Sequence, residues 1–193
     1  MDVATKLMFG LSPSEPDYMA QRQQKHDSDG LDDICFVMDA QGFMINNKFC
    51  IRELSIKGPD VEKWFMFEND FMWEDICDRD RKSIRYCTSR VHGIDFNSDK
   101  LCLHLLPQKL LRQVIRILYR KYCDEKRNRV AVRNNPLFDF LIKMNIPVVD
   151  LTGVTMIHNP FNPLCLSHRC IDPQLLPKCA LNKCRDLYNF VFK

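Results

Sequence analysis

From residue 34 onward, apolar runs alternate with polar breaks, and their spacing predicts the elements of the chain. ICFVMDA, residues 34–40, is a continuous apolar run of strand length, which marks a buried strand. KFCIRELSIK, residues 48–57, alternates and predicts a second strand, with Gly42 and the Ile45-Asn46-Asn47 stretch as the turn between them. EKWFMFEN, residues 62–69, predicts a third. Three such strands in succession imply an antiparallel meander.

The pattern then shifts to helical spacing. Residues 73–91 predict a helix, and HGIDF, residues 92–96, a short extended piece. The clearest helix lies over 106–126, where Leu110, Leu111, Val114, Ile115 and Leu118 share one face and Pro107 sits near the start. A strand over 128–134, a helix over 136–145, a strand over 146–153 and a final helix over 178–192 follow. The order βββ, α, α, β, α, β, α predicts an α/β domain, a mixed sheet flanked by helices, over residues 33–193. Residues 1–32 are polar and without periodicity, and read as a disordered leader.

Composition narrows the class. Of 193 residues, 46% are hydrophobic and 27% charged, the chemistry of an ordinary globular domain. The N-terminus lacks the pattern of a signal peptide, and no run is long enough for a spanning helix, so the expectation is an intracellular, cytoplasmic protein without a membrane partner. Ten cysteines in such a chain suggest free thiols or a metal site and argue against a disulfide framework. The net charge of +3 is too small to demonstrate a nucleic-acid partner, so its distribution matters more.

Asp39 is the first candidate for chemistry, because a carboxylate ending a buried strand needs a partner. FVMDAQG (36–42), IRELSI (51–56) and VRNNPLFDFLIKMNIPVVDL (132–151) together resemble the motifs of the ribonuclease H-like DEDD 3′–5′ exonucleases. The resemblance implies a ribonuclease H-like fold and a site in which four acids hold two Mg²⁺ or Mn²⁺ ions for phosphodiester hydrolysis. Asp39 matches the first acid and Asp139, in Asn-x-x-Phe-Asp, the third. The second place holds neutral Gln41. Lys178 and Lys183 stand near the fourth, with Asp186 about one turn further on. An active nuclease with altered ligands would use Asp39, Asp139, Asp150 and Asp186.

The tail carries a second candidate. Cys165-x2-His168 followed by Cys179 has zinc-ligand spacing, and Cys170 and Cys184 are nearby candidates for a fourth ligand. The arrangement is similar to the Maelstrom domain of piRNA-pathway proteins, a ribonuclease H-like domain with a Glu-Cys-His-Cys zinc site. That resemblance implies Glu53, Cys165, His168 and Cys179 as ligands of a structural zinc that staples the last helix to the sheet. It also implies a role in small-RNA, piRNA-type silencing, with RNA and protein partners of that pathway and a place in perinuclear germline granules.

Basic residues supply the third candidate. Arg112, Arg116 and Arg120 recur every four residues along the long helix, opposite its apolar face, and Lys121 and Arg127 extend the stripe. Arg79, Arg81, Lys82, Arg85 and Arg90 form a second cluster. Such stripes neutralise phosphates. Three readings follow: a catalytically degenerate domain that binds RNA, an active metal-dependent nuclease, and a zinc-stapled scaffold for protein partners. Of the histidines, His92 is expected to be structural.

Overall fold

The computed structural model describes residues 31–97, 105–155 and 179–192. The chain divides into two units, Met1–Asp32 and Asp33–Lys193, of which the second is described below. The leader expected over residues 1–32 lies almost wholly outside the described residues.

The first apolar run becomes β1, Ile34–Ile45, which turns directly into β2, Lys48–Gly58. The turn is Asn46-Asn47, both at positive φ (50° and 59°), a conformation asparagine tolerates and two-residue hairpins require. The strand therefore runs five residues past the sequence-based boundary at Ala40, and Gly42 belongs to it instead of to the turn. The β1–β2 register steps from Gln41 opposite Glu53 to Gly42 opposite Ile51, a bulge that skips Arg52. A Cβ at Gly42 would overlap the carbonyl oxygen of Cys50, so only glycine allows the two strands to approach there.

β3, Val61–Phe67, completes the antiparallel meander. A two-residue strand, β4 (Leu105–Leu106), pairs parallel with it and was not anticipated, being too short to show a period. Residues 92–96 form a turn and no strand: the Ile94 N–H donates to His92 Nδ1 at 3.1 Å. β5, Arg129–Val132, and β6, Val148–Asp150, run parallel to β1 on its other side. The six-stranded mixed sheet has the order β4-β3-β2-β1-β5-β6.

Among the described residues four α-helices accompany it. α1 is Asp78–Tyr86, α2 Leu111–Tyr122, α3 Asn135–Ile142 and α4 Ala180–Val191. On one face of the sheet, Phe36, Met38, Leu54, Ile56, Val130 and Val132 pack with Ile115 and Leu118 of α2 and Leu137 and Leu141 of α3. A smaller cluster of Phe43, Ile45, Ile76, Ile84 and Phe96 involves α1 and the far end of the hairpin. No helix among the described residues is long and apolar enough to cross a membrane.

The other face of β1 and β2 is polar. Asp39 and Gln41 alternate with the apolar positions of β1, and their register partners on β2 are Ser55 and Glu53. All four are buried, and α4 packs against these two strands. α4 is also tied at its rim by Arg185, whose Nε donates to Glu62 Oε1 at 3.1 Å, and Glu62 pairs with Lys57 at 2.6 Å.

One cysteine pair departs from the expectation of free thiols. Cys35, at the start of β1, and Cys123, the C-cap of α2, form a disulfide with a Cα–Cα separation of 5.3 Å. α2 lies on the core face of β1, which brings two cysteines 88 residues apart within bonding reach. Cys50, Cys77, Cys87 and Cys184 are free thiols.

Candidate functional site: a cavity at the strand ends

The three parallel strands share one carboxyl end, and there the chain leaves a cavity of about 430 Å³. Asp39 of β1 lines it, together with Arg133, Asn134, Asn135 and Pro136 beyond β5, Thr152 beyond β6, and Lys183 and Leu187 of α4. Sequence explains each placement. Arg133 and Asn134 follow the last residue of β5. Asn134 is the N-cap of α3: its side chain accepts from the Leu137 N–H at 3.2 Å and donates through Nδ2 to the Ala40 carbonyl at 2.8 Å. Pro136 starts that helix, where its missing N–H costs nothing. Lys183 and Leu187 are four residues apart and share one face of α4.

Asp39 is only 4% exposed. Gln41 Nε2 donates to its Oδ2 at 3.1 Å. Burial pushes its pKa up to about 6, opposed in turn by the Lys183 charge, the Gln41 hydrogen bond, the Ala40 backbone and the Arg133 charge. Beside it, burial and then the Asp39 carboxylate hold the Cys184 thiol well above the ordinary cysteine range, so it stays protonated. The Cys184 thiol donates to the Ser55 carbonyl at 3.1 Å. The cavity thus presents two cations and one carboxylate.

That balance does not fit a two-metal centre. Hard divalent ions require several carboxylates. Here Lys183 stands near the helix position where the resemblance expects an acid, and Arg133 adds a second positive charge. Asp139 is exposed on α3 and is not among the lining residues. Asp150 ends β6 and accepts from the Thr152 N–H at 2.9 Å; the Thr152 hydroxyl lies within reach of both Asp150 and the Asn135 amide oxygen. Asp186 is buried on α4 but does not line the cavity. The structure therefore brings Asp39 alone of the four acids into the cavity wall.

Of the proposed zinc ligands, Glu53 reaches the start of α4, where Cys179 stands. Glu53 is fully buried. Its Oε1 accepts from Trp64 Nε1 at 2.7 Å, and its Oε2 accepts from the N–H of Ala180 at 3.1 Å, the first residue of α4. The residue before it, Cys179, caps that helix: its buried Sγ accepts from the Asn182 N–H at 3.4 Å. Cys165, His168 and Cys170 lie outside the described residues, as do Lys178, His104 and His158.

Arg112, Arg116, Arg120 and Lys121 are exposed on α2, opposite buried Leu111, Ile115 and Leu118, and exposed Arg127 lies just beyond the helix. The Arg112 guanidinium sits 5.5 Å from the Phe140 ring centroid, and Lys121 Nζ 5.3 Å from that of Tyr122. In the second basic cluster Arg81 is committed locally. It donates to the Trp73 and Glu74 carbonyls at 3.1 and 2.9 Å. Arg85 covers the Trp73 ring, which packs edge-on against Phe96. His92 is buried, with Nε2 3.1 Å from the Gly42 carbonyl, and is structural.

Sequence reasoning missed Arg133, Asn134 and Thr152 as site residues. A signal did exist, since Arg-Asn-Asn-Pro joins a strand end to a helix start, where capping and ligand binding share the same backbone. Comparison of the chain with protein-family models, with curated proteins and with solved structures returned no match.

Proposed function

We propose that residues 33–193 form a ribonuclease H-like, exonuclease-type domain that has exchanged two-metal catalysis for RNA binding. In this reading it serves a small-RNA, piRNA-type silencing pathway, in the cytoplasm or a perinuclear granule, with RNA and pathway proteins as partners. Support for the fold comes from the order β3-β2-β1-β5-β6, with an antiparallel meander followed by two strands parallel to β1. Support for the pathway comes from the resemblance to the Maelstrom domain. One observation carries the binding reading: Lys183 and Arg133 flank Asp39 in the cavity where that chemistry would need acids.

The test measures single-stranded RNA binding in EDTA and cleavage in Mg²⁺ or Mn²⁺. Binding without metal and no cleavage are expected. Changing Arg112, Arg116 and Arg120 to alanine is expected to lower the salt slope of log affinity by about 2, at roughly 0.7 per phosphate contact for single strands. Metal-dependent cleavage that disappears in Asp39→Asn would overturn the proposal in favour of an active nuclease.

A second reading, the zinc-stapled scaffold, is favoured by the Glu53 carboxylate bonding the Ala180 N–H, next to the cap residue Cys179 at the start of α4. Both are buried and of the right donor chemistry, and Cys165 and His168 would complete the set. Bound zinc would supply a structural crosslink between β2 and α4. Elemental analysis is expected to find one zinc per chain, lost in Cys165→Ser/His168→Ala; a metal-free wild type rejects it.

A further inference from the structure

We infer that the cavity between β1, α3 and α4 takes the phosphomonoester at an end of a single-stranded RNA, held by Lys183 and Arg133. The inference rests on the RNA-binding reading above and specifies which part of the RNA enters the cavity.

The charges come first. Lys183 is half-buried, Arg133 is exposed, and neither forms an ion pair among the described residues. Two cations against the single carboxylate of Asp39 on one cavity wall leave a net positive charge that favours an anionic ligand. Arginine supplies a planar fork and lysine a compact point charge, a pairing suited to phosphate oxygens. The α3 N-terminus adds little. Pro136 has no N–H, and the Asn134 cap already takes that of Leu137. The side-chain cations must therefore do the holding.

Size argues for an end and against a continuous strand. The cavity of about 430 Å³ lies at the lower end of small-ligand clefts, roughly 300–1,000 Å³. That volume is on the scale of one nucleotide, not of a run of them.

Asp39 selects between phosphate types. Its buried carboxylate faces the same cavity as the two cations and repels any anion that cannot bond to it. It is faced by Lys183 and Cys184 from α4, Gln41 from its own strand and Arg133 from the end of β5. A phosphodiester has no proton to offer. A phosphomonoester has one, with a second pKa near about 6. As the hydrogen phosphate it donates that proton to Asp39 while its remaining oxygens accept from Lys183 and Arg133. The hydrogen bond turns the repulsive contact into an attractive one.

The experiment measures binding of one RNA oligonucleotide, in EDTA, with a 5′-phosphate, with a 3′-phosphate, or with hydroxyls at both ends. One phosphorylated form is expected to bind about tenfold more tightly than the hydroxyl form, and which one it is assigns the end. Lys183→Ala and Arg133→Ala are each expected to abolish that preference while the hydroxyl form still binds through α2. Arg133 is exposed and Lys183 half-buried, and unchanged thermal unfolding verifies that the variants are folded. Equal binding of all three RNAs would overturn this inference and leave the RNA-binding reading standing. A preference untouched in both variants would also overturn it. Failure of every RNA to bind would overturn the RNA-binding reading itself. Nucleoside monophosphates that displace the RNA end at equal affinity would keep the phosphomonoester site but remove RNA as its specific source.

Discussion

Replacing Asp39 by asparagine should stabilise the protein at neutral pH, by an amount that depends on pH in a defined direction. Burial holds the Asp39 carboxyl up at about 6 in the folded chain, against 3.8 for the free carboxyl. The folded state therefore binds the Asp39 proton more tightly than the unfolded state does. Below the unfolded value both states are protonated and the group contributes no penalty. As pH rises through the window between the two values, folding stability falls, and above the folded value the loss is complete. At about 1.36 kcal/mol per unit, the full loss is roughly 3 kcal/mol. Asparagine does not ionise, and its Oδ1 can still accept from Gln41 Nε2. Its extra N–H group needs a new acceptor, which reduces the gain to an expected 1–3 kcal/mol or so. Urea unfolding of both proteins at pH 4, 5, 6 and 7.5 measures the difference directly. The variant should approach the wild type at pH 4, pull ahead between pH 4 and 6, and hold its advantage at pH 7.5. Comparing the two cancels the other carboxylates, such as Glu62, whose pKa is held low by Arg185 and Lys57 despite burial and which titrates in the opposite sense. A difference that does not change with pH, or a wild type more stable at pH 7.5, would refute the reasoning. Lys183 and Arg133 would then outweigh burial at this site.

The remaining predictions concern the frame around the cavity. Gly42→Ala places a methyl on the Cys50 carbonyl oxygen and should cost about 3 kcal/mol or more in urea unfolding, with an unchanged midpoint as the contrary result. Glu53→Ala leaves the Trp64 indole N–H and the Ala180 N–H without this buried acceptor and should cost roughly 2–5 kcal/mol; Glu53→Gln should cost less, because its amide oxygen retains one bond. Removing the Cys35–Cys123 crosslink by the double serine substitution should lower stability by up to about 4.6 kcal/mol on the chain-entropy account of a loop this long. Identical unfolding with and without reductant would argue against the crosslink.

Much of the frame was legible because apolar residues are clustered or regularly spaced. Phe36, Met38 and Ala40 alternate with Asp39 and Gln41, and α2 shows its Leu-Ile face in the sequence. Asp39 stood out because a carboxylate within an apolar run is expensive to leave without a partner. The cavity wall was not legible, because it is assembled from places far apart in the chain. Lys183 was visible as an obstacle to metal binding, yet its proximity to Asp39 depends on how α4 crosses the sheet, and no local pattern encodes that crossing. Arg133 and Thr152 follow short strands whose register is set by β1. Gly42 was misplaced in the turn because a bulge and a turn use the same residue, and the bulge shows itself only when Gln41 and Gly42 face Glu53 and Ile51 across the ladder.

The polar layer under α4 links the two halves of the functional reading. Burying Asp39, Gln41, Glu53 and Ser55 on one sheet face sacrifices apolar contact that a purely structural helix would use. Glu53 bonds the first N–H of α4, where a carboxylate also meets the positive end of the helix dipole. Cys184 bonds the Ser55 carbonyl one turn later. Between these two anchors stands Lys183, whose N–H donates to the Cys179 carbonyl at 3.1 Å. With the helix fixed in rotation and in position along its axis, the Lys183 side chain must face the cavity that holds Asp39. A helix held only by apolar packing could turn or slide with little penalty and carry the ammonium away. The buried carboxylate on β2 therefore acts at a distance on the one on β1, through the backbone of α4. A zinc ion at Glu53 and Cys179 would tighten the same anchor. The proposed staple and the proposed anion site would then be parts of one device, in which the first sets where the positive charge of the second lies.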